Sequence, residues 1–357
     1  MARGTTADPA PPRLLVLRAL GLGDFLTSVP ALRSLRRAFP DHRIQLAAPM
    51  VLAGLAQRSG AVDQMVDTAA LAPLPVPARG AALAVNLHGW GPESSRLLAA
   101  TEPDRAWAFA HPEVPWTAPA PAWRHDEHEV DRWCRLVAGL GASPDPTDLL
   151  LPAPVRPEAP GSVPDRRSVV VHPGAASGAR RWPPERWSAL VRFLLQQGLP
   201  VVLTGSAGER SLCKNVAAGA GVDRDHDPGS ACAVLAGTTD LVALLDVVAQ
   251  ARLVICGDTG VAHLATATAA PSVVLFGPTD PTRWGPRTSG PHRVLWAGQL
   301  GDPHAERPAP GLLAITVDQV LSETEAALAA ATVVPSTVVP CTVVPSTAAS
   351  ATVPASP

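Results

Sequence analysis

Glycine-rich turns carrying acids and cations follow several short apolar runs in this chain. The first is Gly21-Leu22-Gly23-Asp24, after LLVLRAL. Asp24 reads in two ways: as a helix N-cap, or as a general base placed by a glycine turn at the carboxyl end of a strand and facing a cleft. A dinucleotide fingerprint would need a third glycine where Leu26 stands, and the next strand ends in Ala47-Ala48-Pro49 with no acid for a ribose. His88 closes ALAVNLHG, either as a second cleft-facing group or as a hydrogen-bonded loop histidine.

Three further motifs lie in the second half. HPGAASGARRWP (172–183) is a small-residue loop whose backbone N–H groups let an anion approach. Arg180 and Arg181 follow it, either as diphosphate ligands or as two surface cations. CGDTGVAHLA (256–265) passes from strand to helix at Asp258-Thr259-Gly260. A helix N-terminus there is an anion site, Gly260 lets backbone approach, and His263 lies one turn in; Asp258 or Thr259 could equally be caps. TGSAGER (204–210) places Glu209 near a helix start, to hold ribose hydroxyls or to complement the helix dipole.

Two other charged runs invite a metal reading. D-R-D-H-D (223–227) lies in a loop bounded by Gly221 and Pro228-Gly229, which argues against it. W-R-H-D-E-H-E-V-D-R-W (123–133) reads better as a salt-bridged amphipathic helix. The five cysteines, Cys134, Cys213, Cys232, Cys256 and Cys341, are scattered without a C-x-x-C pair, which favours small buried residues over a disulfide framework or zinc site. No metal and no cofactor is expected.

These motifs need a scaffold that repeats strand, turn and helix. Strands are predicted near 14–20, 43–49, 64–66 and 82–89, with helices over 24–39 and 50–59. After a Pro-rich stretch at about 143–166 the alternation restarts: strands at 167–175, 199–206, 231–237, 252–260 and 271–278, helices at 183–198, 207–221, 240–251 and 261–270. Such alternation means parallel strands, and two α/β halves predict a ligand cleft between them. The expected boundaries are a disordered leader 1–12, a first domain 13–150, a linker 151–166, a second domain 167–330 and a low-complexity tail 331–357. The T-V-V-P units of that tail predict disorder with no part in function.

Composition sets the outer limits. The 357 residues are 46% hydrophobic and 17% charged with net charge −2, so the chain has no general electrostatic grip on nucleic acid. No unbroken run of 18 apolar residues predicts a transmembrane helix, and MARGTTADPAPP has no secretory h-region; the expected location is cytoplasmic. Lys214 is the one lysine among 29 basic residues, so arginine is the default cation here.

GLGDFLTSVPALRSLRRAFP, NLHG, HPGA…RRWPPERW, LTGSAGER, GDTGVAHLA and FGPTDPTRWGP occur in this order. Together they closely resemble glycosyltransferase family 9, the heptosyltransferase-like enzymes. The resemblance implies the GT-B fold, two Rossmann-like domains facing a cleft, with the acceptor side first and the nucleotide-sugar side second. It implies inverting, metal-free transfer from an ADP-activated heptose onto a lipopolysaccharide core. Carried over by position, the catalytic aspartate falls on Asp24. The family's lysine before W-P falls on Arg180, which keeps charge and changes geometry. The ribose-binding glutamate falls on Glu209, a residue beside the base near Thr239, and the phosphate loop on Asp258, Thr259, Gly260 and His263. The hydroxyl residues usual before the lysine are replaced by Ala175 and Ala176, leaving Ser177. Arg18, Gly23 and His88 fall on the acceptor side.

The expected partners are therefore a nucleoside-diphosphate sugar and a glycan or glycolipid acceptor, with at most peripheral membrane contact. Two rival classes fit the same motifs: a nucleotide-sugar 2-epimerase, which would consume donor without acceptor, and a non-catalytic nucleotide-sugar binder, which would tolerate Asp24→Asn.

Overall fold

The computed structural model describes residues 10–68, 70–152, 168–222, 231–287, 290–332 and 342–345. The chain divides after Asp148 into two compact units.

Unit 1 runs β1 (Arg13–Leu17), α1 (Leu22–Ala38), β2 (Arg43–Ala48), α2 (Ala53–Arg58), β3 (Gln64–Asp67), β4 (Leu83–Asn86), α3 (Glu93–Ala99), β5 (Ala106–Trp107) and α4 (Glu129–Ala138). Its strands pair in parallel in the order β3-β2-β1-β4-β5. Leu14 of β1 stands opposite Ile44 on one side and Leu83 on the other. Strands covered on both faces read as continuous apolar runs, which is why LLVL was legible. Helix α1 buries Phe25, Leu26, Val29, Leu32 and Leu35 at helical spacing.

Unit 2 runs β6 (Val169–His172), α5 (Pro184–Gln196), β7 (Val201–Leu203), α6 (Arg210–Gly219), β8 (Cys232–Val234), α7 (Leu241–Ala249), β9 (Leu253–Gly257), α8 (Gly260–Ala267), β10 (Ser272–Phe276), α9 (Pro281–Trp284), β11 (His292–Trp296), α10 (Pro310–Ala314), α11 (Val317–Thr332) and β12 (Thr342–Pro345). These strands form one parallel sheet, β12-β11-β10-β9-β6-β7-β8. Its core includes Val169, Val171, Trp182, Trp187, Leu203, Ile255 and Leu275. Both units are therefore Rossmann-like parallel α/β folds, the class expected. In each, strand order reverses beside the first strand: between β1 and β4, and between β6 and β9. The carboxyl ends of those strands are where such sheets place ligands.

The structure differs from the sequence reading at several places. The 123–133 segment is not one helix: α4 starts at Glu129, with His128 accepting the Val130 N–H at its cap. The run does form ion pairs, Arg132–Glu129 within it and Glu127 with Arg135 just beyond it, but its helix boundary differs because the cap sits inside the charged run. Strands β5 and β11 went unread, and α11 passes the expected domain end at 330. Leu151, assigned to the linker, donates its N–H to Ala267 of unit 2.

The tail expectation fails for Thr342–Pro345, which pairs in parallel with β11 at the sheet edge. A proline excludes a central strand, yet an edge strand needs partners on one side only, and Pro345 stands at its end. The leader to residue 9, the linker from 153, the D-R-D-H-D loop and Cys341 lie outside the described residues. Cys134, Cys213, Cys232 and Cys256 are buried, as expected of small apolar residues. Among the described residues no three or more His, Cys, Asp or Glu side chains group as metal ligands, and no helix is long and apolar enough to cross a membrane.

Candidate active site

In unit 1 the chemistry gathers where β1 and β4 end. Gly21 caps α1 without a side chain, so Gly23 and Asp24 fall in the first helical turn and Asp24 is not the N-cap. Its carboxylate is held by backbone hydrogen bonds with Gly21 and its own amide. Arg18, fully buried one residue past β1, sits beside it: Arg18 Nη2 lies 3.5 Å from Asp24 Oδ1. The same guanidinium donates from Nε to the Asp24 carbonyl at 2.9 Å and from Nη1 to the Leu87 carbonyl past β4. It also lies 4.6 Å from the Trp133 ring centroid.

Burial pushes the Asp24 carboxyl above its ordinary range, and the Glu129 charge adds to this; Arg18 and the backbone amides pull back without cancelling it. The side chain keeps 30% of its surface exposed. A raised, accessible carboxylate suits a group that accepts a proton. His88 is half-buried, and its N–H is fixed by Asn86 Oδ1 at 2.9 Å. Burial first, then the Arg18 charge, push its imidazole down to about 4, so it is neutral at neutral pH. Its Nδ1 has no hydrogen-bond partner among the described residues.

In unit 2 the corresponding edge is built from backbone. The loop after β6 packs on the segment before α10: Ala179 N–H donates to the Ala305 carbonyl at 2.8 Å, and the Ala179 carbonyl accepts the Ala309 N–H at 3.1 Å. Gly178 is required there, because a Cβ would stand 1.6 Å from the Glu306 carbonyl oxygen. Ser177 is engaged inside the loop. Its hydroxyl donates to the Pro303 carbonyl and accepts Arg180 Nε at 3.3 Å, so it orients Arg180. Arg180 is half-buried and its Nη1 lies 3.4 Å from the Asp258 carbonyl. Arg181 is the exposed member of the pair and ties the loop through Ala175 at 2.9 Å.

Neither Asp258 nor Thr259 caps α8. Thr259 is extended at the N-cap with no side-chain bond, so the first amides of Gly260–Ala267 have no capping side chain. Asp258 is buried and accepts the Thr279 hydroxyl; burial pushes its carboxyl up while Arg180 and Thr279 pull it down. His263 is half-buried and meets the Trp284 ring edge-on at 6.1 Å.

Glu209 closes a capping box, a role the sequence reading did not weigh beside ribose binding and helix-dipole complementation. Ser206 N–H and Oγ both donate to Glu209 Oε2 at 2.8 Å. Ser206-x-x-Glu209 is the capping-box signature and could have been read from sequence. Glu209 Oε1 rests over Gly174, where a Cβ would come within 2.0 Å. Thr239 lies half-buried one residue before Asp240, which caps α7 through Ala243 N–H at 2.7 Å.

Sequence reasoning missed Glu129 and Thr279. Glu129 is buried in unit 1, 3.3 Å from Arg18 Nη2 and paired with Arg132. No local signal marks a pair 111 residues apart.

Residues 108–305 match the family profile described as glycosyltransferase family 9 (heptosyltransferase). A stretch of 87 residues is 31% identical to lipooligosaccharide heptosyltransferase 2 of Haemophilus ducreyi, and spans 24% of this chain and 24% of that protein. Among solved structures, E. coli ADP-heptose LPS heptosyltransferase II superposes with TM-score 0.71 at 23% identity, covering 89% of this chain and 99% of that one. E. coli heptosyltransferase WaaC with ADP superposes at 0.62 and 20% identity, over 88% and 99%. The likeness of fold covers both units, and the profile covers more than half of the sequence: the chain belongs to glycosyltransferase family 9.

Proposed function

We propose that the protein is an inverting, metal-independent glycosyltransferase that moves a heptose or related sugar from an ADP-linked donor to a lipopolysaccharide-core-like acceptor. The observation that carries the reading is the uncapped amino end of α8 beside Arg180, a diphosphate site made of amides and one guanidinium. The names of the relatives, with ADP-heptose and LPS in one, support the donor and acceptor classes.

In the reaction Asp24 takes the proton of an acceptor hydroxyl as that oxygen attacks the anomeric carbon. The bond from that carbon to the diphosphate breaks on the opposite face, with inversion. The departing nucleoside diphosphate gains charge, which Arg180 and the amides of Gly260 and Val261 stabilise. Ser177 and Asp258 orient Arg180. His263 lies on the donor side, with Glu209 and Thr239 at the nucleoside. Arg18, Gly23 and the neutral His88 are on the acceptor side. The enzyme acts in the cytoplasm, with at most peripheral membrane contact.

Titration calorimetry with ADP, GDP and UDP tests the donor site, with ADP expected to bind tightest and EDTA to leave its affinity unchanged. Nucleotide release from ADP-heptose, with and without a lipopolysaccharide core oligosaccharide, tests the reaction. Acceptor-dependent release that survives EDTA is expected. Donor conversion without acceptor would instead indicate an epimerase, and metal-dependent turnover would overturn the metal-free reading.

A further inference from the structure

Among the described residues of unit 1, Glu129 is the one buried carboxylate, at 4% exposure, and the transfer chemistry above does not use it. Its Oε1 lies 3.3 Å from Arg18 Nη2 and accepts the Trp133 Nε1–H at 2.8 Å. Its Oε2 pairs with Arg132 Nη1. The Arg18 nitrogen that meets Glu129 is also the one that lies 3.5 Å from Asp24 Oδ1. Arg18 has no freedom to leave: the carbonyls of Asp24 and Leu87, the Thr27 hydroxyl and the Trp133 ring hold it from other sides.

A buried arginine beside a base is a liability as well as a support. Its undivided charge would hold the base as a weakly basic ion. A second carboxylate on the same nitrogen divides that charge. We propose that Glu129 is a positioning residue for the transfer reaction: through Arg18 it fixes the Asp24 carboxylate and keeps it basic enough to take the acceptor proton. This rests on Asp24 being the base.

The charged groups that act on Asp24 are Arg18 past β1 and Glu129 on α4; Arg132 pairs with Glu129, and His88 past β4 feels the Arg18 charge. Burial and then the Arg18 charge lower the His88 imidazole to about 4, so it is uncharged at neutral pH. Arg132 also donates to the carbonyls of Arg124 and Glu127, so its place does not depend on Glu129 alone.

The test is a carbon-13 carboxyl NMR titration of the aspartates in the full chain, with Asp24→Asn assigning the Asp24 signal. The pH dependence of nucleotide release from ADP-heptose with core oligosaccharide is measured alongside it. In Glu129→Gln the Asp24 midpoint is expected to fall by about one pH unit. The acid limb of kcat should move the same way, with a lower plateau and unchanged ADP affinity. Because Glu129→Gln leaves Arg132 buried without its carboxylate, the double variant Glu129→Gln, Arg132→Met is measured too. A fall in the same direction is expected there, smaller because a neighbouring cation is lost as well, and Glu129→Asp should restore part of the single variant's fall. An unchanged Asp24 midpoint and pH profile in the folded variants, with any loss of rate tracking loss of stability, would overturn the proposal. If Asp24→Asn itself keeps near-parental turnover, the base reading fails and this proposal falls with it. The NMR midpoint in Glu129→Gln tells that failure apart from a failure of the Glu129 coupling.

Discussion

The two units share one strand order around their first strands and build different groups at its edge. At the β1/β4 edge the working groups are side chains: a buried arginine between two carboxylates, with a neutral histidine nearby. At the β6/β9 edge they are mostly backbone: a loop seated on the 303–309 segment, an uncapped helix end and one half-buried guanidinium. Under the proposed reaction, the difference follows from what each edge would handle. Moving a proton needs a titratable group whose basicity is set by neighbouring charge. Holding a diphosphate needs fixed donors that do not titrate. In the proposed reaction, the same strand order would host a tuned acid–base pair in one unit and a rigid anion cradle in the other.

The contrast can be broken by exchanging which property each edge loses. Asp24→Asn is expected to lower kcat by about 10²–10⁴-fold while ADP affinity stays within a few-fold, read by nucleotide release and calorimetry. Parental turnover would remove Asp24 as the base. Arg180→Ala should act on the other side, weakening ADP by about 1.5–3 kcal/mol, since a charge-assisted contact is lost. Calorimetric titration would show this, and equal affinity of variant and parent would dismiss the cradle.

Two further experiments sharpen the rigid half. In the parent, burial pushes His292 down to about 4, while its unfolded value is near 6.5. The unfolded chain thus binds more protons between those values. The associated stability is complete above 6.5 and declines as pH falls toward 4, by up to about 3 kcal/mol. His292→Gln should flatten that decline in denaturant titrations at pH 7 and pH 5; an unchanged slope would assign the acid sensitivity elsewhere. Gly178→Ala should cost about 1–3 kcal/mol, because the added carbon meets Glu306 backbone that cannot rotate away. Its ADP affinity should fall as well, since Ser177 and Arg180 ride on that loop. Thermal melts with and without ADP would measure both, and a silent variant would mean the loop is not tightly seated.

Local chemistry set much of this molecule by itself. Apolar runs ending in Gly-x-Gly-Asp or Gly-Asp-Thr-Gly need only neighbouring residues to become strand, turn and helix. That is why Asp24 could be placed at the turn after β1, and Asp258 at the end of β9, from sequence. Hydrophobic period and glycine position act within one or two turns of chain, and they carried the parallel α/β class with them. What reached across the chain was decided only by tertiary structure. Glu129 read as one charge in a helical run until α4 brought it to Arg18, 111 residues away. Asp258 stood as a possible cap until the 276–286 loop gave it Thr279. Thr342–Pro345 joined the sheet edge against the expectation drawn from its prolines. An ion pair or an edge pairing depends on which surfaces meet, and that depends on the packing of whole elements rather than on the residues beside it in sequence.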